Sequence, residues 1–136
     1  MAMALFVCRQ NAGRSQMSHA LFERAARGRH TAQSAGTAPA AQVHPEVVEV
    51  MREVGIDLSG VAPRELSRAM LERADVIITM GCGDDCPVVP GARRIEWDLP
   101  DPEGSPLADV RATRDAIAKQ VEMLVTELDG ADGWVL

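Results

Sequence analysis

The segment FVCRQNAGRS, residues 6–15, joins an apolar run to a polar loop and predicts how the chain begins to fold. Residues 3–8 form a short continuous apolar run bounded by a glycine-containing turn, which is typical of a strand buried on both faces. A helix is predicted from Ser15 to about Arg27, because apolar residues recur on one face and Gly28 follows. The segment therefore predicts a strand, a tight loop and a helix in succession.

Outside this segment, the chain continues to alternate predicted strands and helices. Strands are predicted at residues 31–34, 75–80 and 94–97, and helices at 45–54, around 66–73 and from 106 or 107 onward. This alternation predicts a single α/β domain with a parallel sheet covered by helices on both faces. We predict that the domain spans residues 1–130 and that residues 131–136 form a C-terminal tail.

Composition and charge exclude several classes of function. The chain of 136 residues has a formal net charge of −6, which disfavours sequence-independent binding of nucleic acid. No apolar run is long enough to cross a bilayer, and the N-terminus lacks the basic leader of a secretory signal. We therefore expect a cytoplasmic protein without a nucleic-acid or membrane partner. In that compartment the three cysteines are expected to serve catalysis, redox chemistry or metal binding.

The loop after the first predicted strand has the residue types of an oxyanion site. It comprises Cys8, Arg9, Gln10, Asn11, Ala12, Gly13, Arg14 and Ser15. A loop between a strand and a helix directs several N–H groups into one concavity, and the helix N-terminus adds partial positive charge. The guanidinium of Arg14 is suited to hold two oxygens of a tetrahedral anion. The alternative is a buried strand-end cysteine beside a solvated arginine.

Individual residues of this loop suggest distinct roles. A thiol at the floor of such a cradle is expected to ionise readily, so Cys8 is the candidate nucleophile. Ser15 is expected to donate its hydroxyl to the thiolate, and Asn11 to hold the loop through side-chain to backbone hydrogen bonds. Gly13 is expected to permit a tight turn or a positive φ.

The stretch VCRQNAGRSQM, residues 7–17, resembles the active-site loop shared by low-molecular-weight tyrosine phosphatases and the arsenate reductases of the same fold. Further similar stretches are SAGT (34–37), HPEVVEVMREVGIDLS (44–59), ADVIITMGCGDDCP (74–87) and EWDLPDPEG (96–104). The resemblance implies a four-stranded parallel sheet flanked by helices. It also implies that Asp101, in the Asp-Pro pair, protonates the leaving oxygen. Asp98 is the rival acid, and a simple turn aspartate is the structural alternative.

Aromatic content and the distal cysteines separate the two activities. The chain has no Tyr, two Phe and two Trp, and Glu103 follows the Asp-Pro pair where phosphatases commonly have an aromatic residue. Only Trp97 is expected to flank the site, so a tyrosine ring would find few stacking partners. Cys82 and Cys86 lie just past the third predicted strand, and Cys82 should lie on the same sheet edge as Cys8, since both follow strands. A redox role for Cys82 and Cys86 is favoured over the alternative that one is buried in the core and the other is incidental.

A zinc site is the other structural alternative for the three cysteines. It would require a fourth ligand from His19, His30 or His44, and none of these has ligand spacing. Some relatives bind potassium near the active-site loop through an acidic residue early in the first helix. Because His19 stands in that region, we do not expect the ion.

By these motifs the chain is identified as a member of the thioredoxin-coupled arsenate reductases. The resemblance implies that Cys8 attacks arsenate, that Cys82 and then Cys86 pass on a disulfide, and that thioredoxin reduces it. No bound cofactor is expected, and phosphate or sulfate should fit the same loop. A low-molecular-weight thiol such as mycothiol with a redoxin is the alternative reductant. Two alternative functions remain: a phosphatase for small phosphoesters, and a non-catalytic module that binds an oxyanion or zinc.

Overall fold

The computed structural model of the protein describes residues 1–81 and 92–133. Its centre is a four-stranded parallel sheet in the order β2-β1-β3-β4. The strands are β1 (Met3–Cys8), β2 (Thr31–Gly36), β3 (Val76–Thr79) and β4 (Arg93–Glu96). The helices are α1 (Arg14–Ala26), α2 (Pro45–Arg52), α3 (Arg68–Arg73) and α4 (Leu107–Gly133). The predicted fold class, an α/β domain with four parallel strands between helices, is confirmed.

Strand β1 lies inside the sheet and is covered on both faces. Phe6 packs in the larger core cluster, which includes residues of α1, α2 and α4. Leu5 and Val7 point to the opposite face, where they pack with Ile77 and with residues of α3 such as Met70. Burial of successive residues on both faces explains why the strand is continuously apolar rather than alternating.

Most predicted elements form close to their predicted bounds. Helix α1 begins at Arg14, and Arg27 follows it in the left-handed conformation with φ of 49°. Strand β2 continues to Gly36, two residues beyond the prediction, because it pairs with β1 as far as Cys8↔Gly36. Helix α4 continues to Gly133. The division into a domain of residues 1–130 and a tail stays a prediction, and residues 134–136 lie outside the described part.

Trp97 belongs to the hydrophobic core. It is only 6% exposed, and its ring centroid lies 5.8 Å from that of Phe6, which in turn lies 5.5 Å from that of Phe22. The sequence-based expectation placed Trp97 beside the site. Its burial instead gives it a packing role after β4, because a large aromatic side chain gains most by leaving water.

The sheet brings three chain segments to one edge. The C-terminal ends of β1, β2 and β3 meet there, since Cys8 pairs with Gly36 and Val7 pairs with Thr79. In the sheet, β2 lies on one side of β1 and β3 lies on the other. This edge therefore contains the point where the strand order reverses. Open parallel sheets bind ligands at such a point.

Candidate active site

Cys8 lies at the floor of the loop that follows β1. It is 2% exposed, and its Sγ lies 2.9 Å from Oγ of Ser15. The backbone N–H of Asn11 donates a hydrogen bond to the same sulfur over 3.3 Å. The Ser15 hydroxyl and the Asn11 N–H thus both lie within hydrogen-bond distance of this sulfur.

The hydrogen-bond network fixes the orientation of the Asn11 amide. Its Oδ1 accepts from Nε2 of Gln16 and from the backbone N–H of Arg64, both over 2.9 Å. Its Nδ2 therefore faces Ser15 and donates to the Ser15 oxygen over 2.7 Å. Because Ser15 accepts this bond, its own hydrogen is available for Cys8. Donors thus run in one direction, from Asn11 through Ser15 to the sulfur.

The left-handed backbone position of the loop lies at Asn11. Asn11 has φ of 51°, in the left-handed region that asparagine tolerates better than most residues. Gly13 has φ of −139°, so the positive φ of the loop lies at Asn11 and not at Gly13. What Gly13 provides is space, since a Cβ at that position would lie 2.9 Å from Cγ of Pro102.

The carbonyl groups of the loop accept hydrogen bonds from the segment after β2. Those of Cys8, Arg9, Gln10 and Ala12 accept hydrogen bonds from the N–H groups of Thr37, Ala38, Ala40 and His44. In a trans peptide the following N–H points away from the carbonyl. The N–H groups that follow these carbonyls therefore point away from this segment. Backbone donors collected in this way bind a tetrahedral anion.

Gly36 brings β2 into direct contact with the loop. A Cβ on Gly36 would lie 2.7 Å from the Arg9 carbonyl oxygen and 2.8 Å from the Asn11 nitrogen. Its backbone N–H donates to the Arg64 carbonyl over 2.8 Å. Only glycine permits this approach, which the SAGT stretch signalled without revealing the contact.

Arg14 lies at the start of α1 and reaches the loop that carries Asp101. Its Nη1 donates to the Leu99 carbonyl over 3.2 Å, and its Nη2 lies 3.6 Å from Oδ2 of Asp101. The Arg14 side chain is 9% exposed and that of Asp101 is 54% exposed. Asp101, rather than Asp98, is thus the aspartate paired with the Arg14 guanidinium among the described residues.

Gly81, which directly precedes Cys82 in the chain, packs against Arg14. It has φ of 76°, and a Cβ there would lie 2.1 Å from Nη1 of Arg14. The sequence-based reasoning missed this contact, although a glycine at the end of a buried strand was visible. Cys82 and Cys86 themselves lie outside the described residues. The expected place of Cys82 beside Cys8 stays a prediction.

His19 is engaged by its neighbours on α1 and β2. Its Nδ1 lies 2.9 Å from Oγ of Ser34, and its Nε2 lies 2.6 Å from Oε1 of Glu23. Burial lowers the pKa of His19, and the carboxylate of Glu23 acts in the opposite direction. Within residues 1–81 and 92–133, no cluster of three or more His, Cys, Asp or Glu could hold a metal ion. No helix in this part of the chain is long and apolar enough to span a bilayer.

The comparisons with known proteins converge on one family. The family model of the low molecular weight phosphotyrosine protein phosphatase matches residues 3–132. A Halobacterium salinarum protein named "Putative arsenate reductase" is 45% identical over 135 residues, covering 93% of each chain.

Two solved structures show the same similarity. A thioredoxin-dependent arsenate reductase from Corynebacterium glutamicum is 33% identical with a TM-score of 0.74, and the match covers all of this chain and 64% of that one. An arsenate reductase in a phosphate-binding state is 31% identical with a TM-score of 0.81, covering 93% of this chain and 98% of that one.

Proposed function

The chain belongs to the low molecular weight phosphotyrosine protein phosphatase family, in which its relatives include arsenate reductases, and from this premise we propose that it reduces arsenate to arsenite. The observation that carries the proposal is the buried thiol of Cys8, which receives hydrogen bonds at the floor of an anion-binding loop. A packing cysteine would require neither the directed donors nor the paired arginine.

Arsenate would bind in the loop with its oxygens on the backbone N–H groups and on Arg14. The guanidinium fork is suited to hold two of those oxygens, which presents the arsenic atom to the sulfur below. Arg14 already contacts the carbonyl of Leu99 and lies near Asp101, so the clamp and the acid lie side by side. This proximity supports their acting on one bound anion.

In the first step the Cys8 thiolate attacks arsenic, and an As–S bond forms as an As–O bond breaks. Asp101 gives its proton to the departing oxygen, which leaves as water. Hydroxide is a poor leaving group unless protonated, so an acid at this position lowers the barrier. Arsenic remains As(V) in the Cys8 adduct, and no electrons have yet moved to it.

The reduction itself needs a second thiol. We assign this role to Cys82, whose thiolate attacks Sγ of Cys8, so that the As–S electron pair leaves with arsenic as As(III). Arsenite departs and a Cys8–Cys82 disulfide forms. Cys86 then attacks Cys82, which frees Cys8 as a thiolate and leaves a Cys82–Cys86 disulfide. Gly81 lies against Arg14 and immediately precedes Cys82 in the chain. This placement supports a short distance between Cys82 and Cys8.

Thioredoxin is the proposed reductant of the final disulfide. Two thiols of the redoxin would supply the two electrons that arsenic received, so the cycle balances. The similarity to a thioredoxin-dependent arsenate reductase supports this choice. Mycothiol with a redoxin is the alternative supplier of the same two electrons.

A coupled assay tests the proposal. The reduced protein is supplied with arsenate, thioredoxin, thioredoxin reductase and NADPH, and we expect NADPH oxidation that depends on arsenate and matches the arsenite formed. Cys8→Ser should abolish it. If neither thioredoxin nor mycothiol with a redoxin supports arsenite formation, the proposed function is wrong.

A phosphatase for small phosphoesters is the second candidate, because the same loop would hold phosphate as readily as arsenate. A related arsenate reductase binds phosphate, which supports this shared geometry. Phe6 and Phe22 are fully buried and Trp97 nearly so, which leaves an aryl substrate little to stack on within residues 1–81 and 92–133. Phosphoester turnover without reductant would favour this candidate. Anion binding without turnover, or stoichiometric zinc in the purified protein, would indicate a binding module.

A further inference from the structure

The loop that carries Asp101 has no regular secondary structure between β4 and α4. The Asp101 carboxylate caps its own turn, since Oδ1 accepts from the backbone N–H of Glu103 over 3.0 Å. Pro102 is buried against Gly13, and the carbonyl of Leu99 accepts from Arg14. These contacts hold the first half of the loop.

The second half of the loop is held by Glu46. Its Oε1 accepts a hydrogen bond from the backbone N–H of Gly104 over 3.2 Å, across 58 positions of sequence. Gly104 has φ of 71°, so the chain turns sharply where the carboxylate binds it. A hydrogen bond from an N–H to a carboxylate is stronger than one to a neutral acceptor. The Ser105 N–H closes the same turn onto the Pro102 carbonyl over 3.1 Å, and Glu46 ties the end of this turn to α2.

Helix α2 gives this tether a rigid base. Glu46 follows Pro45 in the first turn, and the helix is anchored in the core by Val47, Val50 and Met51. The backbone N–H of His44, which caps the helix, donates to the Ala12 carbonyl in the anion loop over 3.0 Å. One end of α2 thus contacts both the anion loop and the acid loop.

We propose that Glu46 is a positioning residue for the general acid, holding the loop so that Asp101 stays directed at the bound anion. This inference rests on the proposed function. The Asp101 side chain is more than half exposed, and one of its two contacts, the Glu103 N–H, belongs to the loop itself, so its position depends on how the loop backbone is held. A displaced acid lowers the rate of proton transfer without weakening anion binding.

A purely structural role for Glu46 makes a different prediction. A carboxylate in the first turn of α2 also stabilises the helix through its dipole, and that effect depends on charge. Glu46→Gln loses the charge but keeps an acceptor for Gly104. A positioning role therefore predicts that Glu46→Gln keeps the wild-type rate, while Glu46→Ala loses rate. A helix-dipole role predicts that Glu46→Gln and Glu46→Ala lose the same stability and that neither variant changes the rate.

The test compares Glu46→Ala, Glu46→Gln and the control Glu49→Ala, an exposed glutamate on the same helix. We expect Glu46→Ala to lower kcat for arsenate reduction roughly tenfold, with KM and phosphate affinity within about twofold of wild type. Glu46→Gln and Glu49→Ala should stay within about threefold of wild type. In an Asp101→Asn background, Glu46→Ala should cause no further loss, because its effect passes through Asp101.

Amide hydrogen exchange of residues 98–106 provides a readout that does not depend on activity. Exchange in this loop should rise in Glu46→Ala and stay at the wild-type level in Glu46→Gln and Glu49→Ala. Unchanged exchange in Glu46→Ala, or a full tenfold loss that persists in the Asp101→Asn background, would overturn the inference. A wild-type protein that forms no arsenite would instead refute the proposed function, and the exchange result would still stand.

Discussion

At the scale of single residues, the direction of hydrogen bonds matters more than their number. Asn11 has one donor side and one acceptor side, and its acceptor is occupied by Gln16 and by the backbone of Arg64. Only this arrangement leaves the Ser15 hydrogen for Cys8. An aspartate of nearly the same shape has no donor, so it would receive the Ser15 hydrogen itself.

Asn11→Asp should therefore lower the reactivity of the Cys8 thiol, although it replaces only the amide NH2 group by an oxygen. We expect alkylation of Cys8 at mildly acidic pH to slow by roughly tenfold to a hundredfold, the equivalent of about 1.5–3 kcal/mol for a hydrogen bond to a charged group. Ser15→Ala should produce a similar loss, and the double variant should not be additive. If Asn11→Asp reacts as fast as the wild type, the relay through Ser15 does not support the thiolate.

At the scale of elements, local patterns predicted the strands and helices but not their contacts with the loop. The apolar run of β1 and the spacing of apolar residues in α2 are short-range signals, because the residues that form a buried face recur at a fixed spacing along the chain. The bond from Gly104 to Glu46 spans 58 positions and that from Arg64 to Asn11 spans 53. Such pairs depend on how elements pack, which no single-sequence period encodes. The role of Gly36 was hidden for the same reason.

Gly36→Ala tests the contact between β2 and the anion loop. Its Cβ would press on backbone atoms of Arg9 and Asn11, which cannot rotate away as a side chain can. We expect a loss of about 1–3 kcal/mol in unfolding free energy and at least roughly a tenfold loss of phosphate affinity. Gly60→Ala is the matched control, because nothing lies within 4 Å of its Cβ position. Wild-type phosphate affinity in Gly36→Ala would mean that the loop does not depend on this approach.

At the scale of the whole molecule, ion pairs join α4 to the rest of the chain. Glu53, just after α2, lies 2.7 Å from Nη2 of Arg111 and 2.9 Å from Nη1 of Arg114. Hydrogen bonds from Arg111 contribute most to lowering the pKa of Glu53 from 4.5 to about 2. At the other end of α4, the Asp129 carboxylate accepts from Arg29 and lies 2.9 Å from Nε2 of His30.

The Glu53 cluster predicts part of the acid sensitivity of folding. Because its pKa is lower in the folded state, its stabilisation is present above about pH 4.5 and declines as pH falls toward 2. Glu53→Gln should lower the urea midpoint at pH 7, and its difference from the wild type should shrink at pH 2. Glu122→Gln, an exposed position on α4, is the control. A Glu53→Gln difference that is equal at both pH values would contradict this assignment.

A single-turnover experiment without external reductant can show whether Cys8, Cys82 and Cys86 act in sequence on arsenate. Prereduced protein is mixed with arsenate, arsenite is counted per chain, and disulfides are mapped by mass spectrometry. We expect about one arsenite and a Cys82–Cys86 disulfide in the wild type, and about one arsenite with a Cys8–Cys82 disulfide in Cys86→Ser. Cys82→Ser should retain the arsenic adduct and release none. Arsenite release from Cys82→Ser at the wild-type level, or none from the wild type, would refute the three-cysteine relay.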